Sequence, residues 1–120
     1  MKGSSPKPIV WLGDTLSMLR ACPPEVQDQI GYALYVAQIG GKYFRAKPLK
    51  SLGAGVLEIV ADHRSDTYRA VYTVRFADEV YVLHVFQKKS TKGIATPQSD
   101  MELIRQRLKR AAELHARREH

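Results

Sequence analysis

The stretch from Tyr68 to Lys92, YRAVYTVRFADEVYVLHVFQKKSTK, predicts a two-stranded β-hairpin and decides the fold of this chain. Side chains alternate between the two faces of a strand. One face would therefore carry the apolar set of the first strand, namely Tyr68, Ala70, Tyr72, Val74 and Phe76. Pairing with Tyr81, Leu83 and Val85 of the return strand fixes the register, because a slip of one residue would move every one of them to the wrong face. The turn is expected at residues 77–79.

The other face of the hairpin is predicted to be cationic. Four polar or basic residues fall on it, namely Arg69, Thr73, His84 and Lys88, with Val82 and Phe86 on the same side of the return strand. Arg75 belongs to this set as well. Such a surface is suited to an anion, and RNA is the anion that this pattern favours.

Composition indicates one basic domain. The 120 residues are expected to form a single domain, 1–120, in which residues 1–7 are a disordered tail. Lys and Arg outnumber Asp and Glu by 19 to 12, a net charge of +7, which favours a polyanionic partner without separating RNA, DNA, the ribosome or an acidic protein. Cys22 is a lone cysteine, so no intramolecular disulfide is expected. The chain shows no apolar run of membrane-spanning length and no secretory signal, so a cytoplasmic protein with no membrane partner is predicted.

The elements around the hairpin predict an α+β fold. A small antiparallel sheet is expected to pack against two N-terminal helices, with a C-terminal helix completing the domain. The expected order is an edge strand at Pro8–Leu12, a helix capped by Asp14, a second helix from Pro23 to Gly40, a surface loop at Lys42–Gly55, a strand at Val56–Val60, the hairpin, and a final helix from Thr96.

The final helix is predicted to be amphipathic. Its apolar stripe recurs at helical spacing, at Met101, Ile104, Leu108, Ala111 and Ala112. Basic residues occupy the remaining positions, among them Arg105, Arg107, Lys109, Arg110, Arg117 and Arg118. A solvated helix face explains this charge as well as a nucleic-acid contact does.

Several segments in this order resemble the RelE/HigB toxins, and more narrowly their phage-derived HigB-like branch. They are the YRxVYTV strand, the VLHxFxKKSxKGxxTP segment, Trp11-Leu12-Gly13-Asp14, Lys47-Pro48-Leu49-Lys50 and the basic helix around Arg107. The resemblance implies a RelE-like fold and the toxin half of a type II toxin-antitoxin module. Many such toxins cut mRNA in the ribosomal A site, so the implied partners are a helix-turn-helix antitoxin, the ribosome and mRNA.

The resemblance also implies site residues. Arg69 corresponds to the family's catalytic arginine, and Lys88 or Lys89 corresponds to a second cation that stabilises charge at the scissile phosphate. His84 is the favoured group for proton transfer, with His63 as the alternative. Further RNA contacts are predicted at Arg75, Phe86, Lys92, Lys47 and Lys50. No cofactor is expected, and no metal either, because no His/Cys/Asp cluster has ligand spacing.

Two other functions stay open at this point. The strand Val56–Val60 lacks the lysine pair of RelE, and no tyrosine follows Lys88-Lys89, which favours a non-catalytic RelE/ParE-like toxin or a phage relic that acts by binding protein. The net charge alone would also suit a simple RNA- or DNA-binding module.

Overall fold

The computed structural model describes residues 5–88 and 96–118. Eight elements of secondary structure lie in these ranges, together with a short 3₁₀ turn at Lys50–Leu52: β1 (Ile9–Trp11), α1 (Thr15–Arg20), α2 (Pro24–Gln38), β2 (Lys47–Pro48), β3 (Val56–His63), β4 (Asp66–Thr73), β5 (Val80–Lys88) and α3 (Gln98–Arg118). The predicted α+β class is confirmed. None of the helices in the described ranges has the length and apolar character needed to cross a membrane.

The five strands form one sheet in the order β1-β5-β4-β3-β2. The pairs β2–β3, β3–β4 and β4–β5 are antiparallel. Strand β1 instead runs parallel to β5, with Ile9 opposite Val80. The predicted edge strand is therefore present, and its parallel pairing makes the sheet mixed. The predicted loop at Lys42–Gly55 contains the short edge strand β2 and the 3₁₀ turn.

Helices cover both faces of the sheet. On one face α1 and α2 pack against it, and the apolar stripe of α2 is fully buried at Val26, Ile30 and Leu34. On the other face α3 packs against β5 through Ile104 and Ala111. A sheet buried on both faces has apolar residues at successive positions, so polarity along β5 does not indicate which way each side chain points.

A β-bulge in β5 corrects the predicted faces of the hairpin. Val71 pairs with His84, but the next residue, Tyr72, pairs with Val82, so Leu83 is the extra residue on the bulged strand. Val82 and Val85 therefore join the core under α2, whereas Tyr81, Leu83 and Phe86 join the core under α3. The prediction that groups Tyr81 and Leu83 with Val85, and Val82 with His84, is wrong. Phe76 lies beyond the end of β4 and also packs on the α3 side, not with Tyr72.

Arg107 of α3 locks this bulge in place. Its Nη1 donates a hydrogen bond to the carbonyl oxygen of Leu83 at 3.0 Å, and its Nη2 lies 3.1 Å from Asp14 Oδ1. The φ of Gly13 is +57°, a conformation that favours glycine, and a Cβ there would stand 2.5 Å from this guanidinium and displace it. Arg107 thus faces the sheet and does not belong to the predicted solvated basic face.

The two ends of the predicted N-terminal tail differ. Residues 1–4 lie outside the described ranges, whereas the backbone N–H of Lys7 donates to the Gln38 carbonyl at 2.9 Å. The Gln38 side chain in turn donates to the Lys7 carbonyl at 2.6 Å. Lys7 is therefore attached to the end of α2.

Candidate nucleic-acid interface

The candidate site lies on the face of the sheet that also packs against α3. A cleft of about 430 Å³ opens there above β3 and β4. It is lined by Phe44, Arg45, Lys47, Val60, Asp62 and Arg69. Among these residues three are cationic and one is acidic, so the cleft is suited to an anion.

Strand register brings most of the predicted residues onto this face. Arg69 lies between Val60 of β3 and Phe86 of β5, and the neighbouring row places Val71 between Glu58 and His84. The next row along the strands places Thr67 between Asp62 and Lys88, and Lys47 of β2 pairs with Glu58. Arg69, His84, Lys88 and Phe86 therefore share one face, as the alternation in the sequence predicts, and β2 adds Lys47 to it.

Arg69 is buried against a carboxylate. Its Nη1 donates to Glu58 Oε2 at 2.8 Å, and the side chains of the two residues are 10% and 9% exposed. Thr96 lies two residues before α3, and its hydroxyl donates to the same oxygen at 3.4 Å. A buried guanidinium requires such a partner, because an unpaired buried charge is strongly destabilising. Glu58 consequently fixes the position of Arg69 at the cleft.

His84 is held by a second carboxylate. Its Nε2 lies 2.7 Å from Asp100 Oδ1 in the first turn of α3, and its ring stacks on Phe86 with the centroids 4.5 Å apart. Its other nitrogen, Nδ1, is buried and has no hydrogen-bond partner within residues 5–88 and 96–118. Phe86, the other ring of this stacked pair, is buried, so it is less accessible to RNA than the sequence predicts.

The alternative proton-transfer residue, His63, lies elsewhere. Its Nδ1 is 3.8 Å from Glu25 Oε1 at the start of α2, on the opposite side of the sheet from Arg69. The structure thus brings His84, and not His63, onto the face that carries Arg69.

The remaining predicted contacts are distributed more widely. Arg75 donates from Nη2 to the Leu52 carbonyl at 2.7 Å and from Nε to the Ala54 carbonyl at 3.0 Å, so it braces the loop before β3. Lys50 is exposed in the 3₁₀ turn. Lys88 is buried beside Thr67. Lys89 and Lys92 lie outside the described residues.

Sequence reasoning misses several residues of this site, among them Glu58, Phe44, Arg45 and Asp100. Glu58 is missed because the strand around it is apolar. A carboxylate at a buried strand position nevertheless indicates a cation on the neighbouring strand. Phe44 and Arg45 lie in a segment without periodicity. An aromatic residue between basic residues in such a loop was the available signal.

Comparison with protein families identifies the chain. The family described as "Phage derived protein Gp49-like (DUF891)" matches residues 17–109. The chain belongs to this family. The predicted resemblance to the phage-derived branch of the RelE/HigB-like proteins is thereby confirmed. No curated protein matches the Gp49-like chain significantly.

Solved structures share the fold of this Gp49-like protein. A mutant of the Escherichia coli toxin RelE in the free state is 19% identical, with a TM-score of 0.56, over 88% of this chain and 98% of RelE. The toxin-antitoxin complex RelBE2 from Mycobacterium tuberculosis includes a chain that is 18% identical, with a TM-score of 0.47, over 75% of this chain and all of that one. The first similarity confirms the predicted RelE-like fold.

Proposed function

We propose that this Gp49-like protein is the toxin of a type II toxin-antitoxin module and cuts mRNA on the ribosome without a metal ion. It acts in the cytoplasm, and its partners are the ribosome, mRNA and a helix-turn-helix antitoxin. Support comes from the family, from the fold shared with a protein named a toxin, and from the cationic cleft. The observation that carries the proposal is Arg69, positioned by Glu58 at the edge of that cleft.

When a 2′-hydroxyl attacks the neighbouring phosphate, cleavage of RNA needs three things: an acceptor for the hydroxyl proton, stabilisation of charge at the phosphate and a proton for the departing 5′-oxygen. Arg69 supplies the second of these, because a fixed guanidinium aimed at the phosphate stabilises the transition state more than the ground state. Glu58 and His84 stand on either side of Val71 and are the titratable groups for the proton transfers. The cleavage rate of Glu58→Gln and of His84→Gln, measured as a function of pH, would show which of the two groups is the proton acceptor.

The test is mRNA cleavage in a reconstituted translation reaction, with and without ribosomes. The wild type is expected to cut only when ribosomes are present. Arg69→Ala is expected to lower the rate at least about 100-fold. Arg20→Ala removes an exposed arginine of α1, on the opposite face of the sheet, and is expected to retain cleavage. Arg69→Lys, which keeps a charge beside Glu58, controls for misfolding, and thermal unfolding checks each variant.

A second candidate function is supported by the same ion pairs. Two of the predicted catalytic side chains, Arg69 and His84, are bound by carboxylates of this chain. A non-catalytic toxin that acts by binding protein would need no exposed catalytic cation. Intact mRNA in the presence of folded wild-type protein and ribosomes would favour this function and contradict cleavage.

A further inference from the structure

We propose that Phe44 is a stacking platform that holds one unpaired base of RNA at the cleft of Arg69. This inference rests on the proposed function, because it takes single-stranded RNA as the occupant of the cleft. It assigns a nucleotide-positioning role to a residue of the loop between α2 and β2.

The exposure of Phe44 is the first observation. Phe44 is 85% exposed, and the next most exposed large hydrophobic residue within residues 5–88 and 96–118 is Tyr32 at 59%. Phe44 is not an isolated exposed residue, because its ring contacts Tyr43 and Tyr43 contacts Tyr32, which is also exposed. Burying such rings is favourable, and an exposed apolar patch marks a surface that a partner covers.

The ring of Phe44 is also supported from behind. Its centroid lies 5.0 Å from that of Tyr43, and Tyr43 packs edge-on against Tyr32 of α2 at 5.9 Å. This row of three aromatic rings connects Phe44 to a helix. A supported ring loses little conformational freedom when a base stacks on it, which favours binding.

Charge around Phe44 points to a nucleic acid as the occupant. Arg45 follows it in the chain, and Lys47 and Arg69 line the same cleft. The acidic residue of the cleft, Asp62, accepts a hydrogen bond from the Thr67 hydroxyl at 3.0 Å. Sites for single-stranded nucleic acids usually combine cations, which contact the phosphates, with an aromatic ring on which a base stacks.

The strand is inferred to be unpaired RNA and not a duplex. Bases within a duplex are already stacked on each other and are not available to a side chain at the groove, whereas unpaired bases stack readily on aromatic rings. The proximity of Phe44 to Arg69 then gives it a function: the stacked base sets which phosphate reaches the arginine.

The test is the affinity for a fluorescently labelled single-stranded RNA of about twelve nucleotides, a length within the usual site sizes, measured by anisotropy at low salt. Phe44→Ala is expected to weaken binding roughly 5- to 150-fold, the effect of losing one stacked base. Phe44→Trp is expected to stay within about threefold of the wild type, because the ring is retained. Tyr35→Ala is the matched control, since Tyr35 is an exposed aromatic of α2 that does not line the cleft. Binding of duplex RNA should not change in any of these variants.

The outcomes separate the two proposals. An unchanged affinity of Phe44→Ala for single-stranded RNA, or an equal loss for duplex RNA, would overturn the stacking role. If that occurs while Arg69→Ala still abolishes cleavage, the endonuclease proposal survives alone. If the folded wild type neither binds nor cuts RNA, both proposals are refuted. Loss of antitoxin binding in Phe44→Ala with RNA affinity intact would identify the ring as a protein contact instead.

Discussion

At the scale of single residues, two buried tyrosines, one on each face of the sheet, differ in what their hydroxyl groups contact. Tyr72 and Tyr81 are both fully buried. Tyr81 Oη donates to Glu79 Oε1 at 2.5 Å, whereas Tyr72 Oη has no hydrogen-bond partner in the described part of the chain. A buried hydroxyl without a partner costs free energy, and a satisfied one adds a modest amount.

Replacing each tyrosine by phenylalanine should therefore shift stability in opposite directions. Tyr72→Phe is expected to leave the free energy of unfolding unchanged or raise it by up to about 1 kcal/mol, since it removes only an unsatisfied hydroxyl. Tyr81→Phe is expected to lower it by about 1–2 kcal/mol, because it leaves a Glu79 oxygen without its donor. Urea unfolding at pH 7 measures both. A loss of more than 1 kcal/mol in Tyr72→Phe would mean that its hydroxyl has a partner.

The same tyrosines predict how stability depends on alkaline pH. Burial raises the pKa of Tyr72 to about 12, and burial together with the hydrogen bond to Glu79 raises the pKa of Tyr81 to about 12. A tyrosine in the unfolded chain has a pKa near 10. The folded state keeps the proton longer, so the contribution of each group is complete below pH of about 10 and is lost as the pH rises from there to about 12.

Comparison of variants isolates this effect from the titration of lysines. The unfolding free energy of the wild type should fall more steeply between pH 9 and about 11.5 than that of Tyr72→Phe. The Tyr72→Phe, Tyr81→Phe double variant should show the shallowest decline. Parallel declines in all three proteins would contradict the raised pKa values.

At the scale of elements, Glu79 attaches the end of α3 to the connection before β5. It is buried, accepts the hydrogen bond of Tyr81, lies 2.6 Å from Arg118 Nη1 and faces His115. The Arg118 side chain is 57% exposed, so solvent weakens that ion pair and most of the cost of losing Glu79 comes from the buried Tyr81 hydroxyl.

Glu79→Ala is expected to lower the free energy of unfolding by about 1–3 kcal/mol and to speed amide hydrogen exchange over the last turns of α3. Glu79→Gln keeps an acceptor oxygen and should have a smaller effect on both. Glu113→Ala is the control, because Glu113 also pairs with an arginine, Arg110, but on the surface at 3.5 Å, and should change stability by less than about 0.5 kcal/mol. Exchange that is equally fast in Glu79→Ala and Glu113→Ala would show that Glu79 does not hold the helix.

Elements also differ in how well the sequence predicts them. Helix α2 is predictable because its apolar residues recur at helical spacing between a proline and two glycines, and one face alone is buried. Strand β5 is not, since eight of its nine residues are buried and alternation carries no information about face. The bulge at Leu83 is bound by Arg107, which lies 24 residues away in a helix.

At the scale of the whole molecule, the site is predictable only in part for the same reason. Arg69, His84 and Lys88 are predicted on one face because strand alternation and register are local rules, whereas the strand that brings Lys47 to this face is not predicted. Their carboxylate partners are not predicted, since Glu58 and Asp100 reach them across strands and from α3. Net charge indicates an anionic partner but does not indicate which cations contact it. The residues that line the cleft do, and this difference can be tested.

Binding of single-stranded RNA should depend on salt through the cleft and not through the total charge of +7. Each lost phosphate contact lowers the slope of log affinity against log salt by roughly 0.7 for a single strand. Arg45→Ala with Lys47→Ala should therefore lower the slope by roughly 1.4, if both cations contact phosphates. Arg105→Ala with Lys109→Ala removes the same charge from exposed positions of α3 and should change the slope little. Equal changes of the slope in the two double variants would mean that RNA binding depends on net charge alone. That result would contradict the cleft as the binding site.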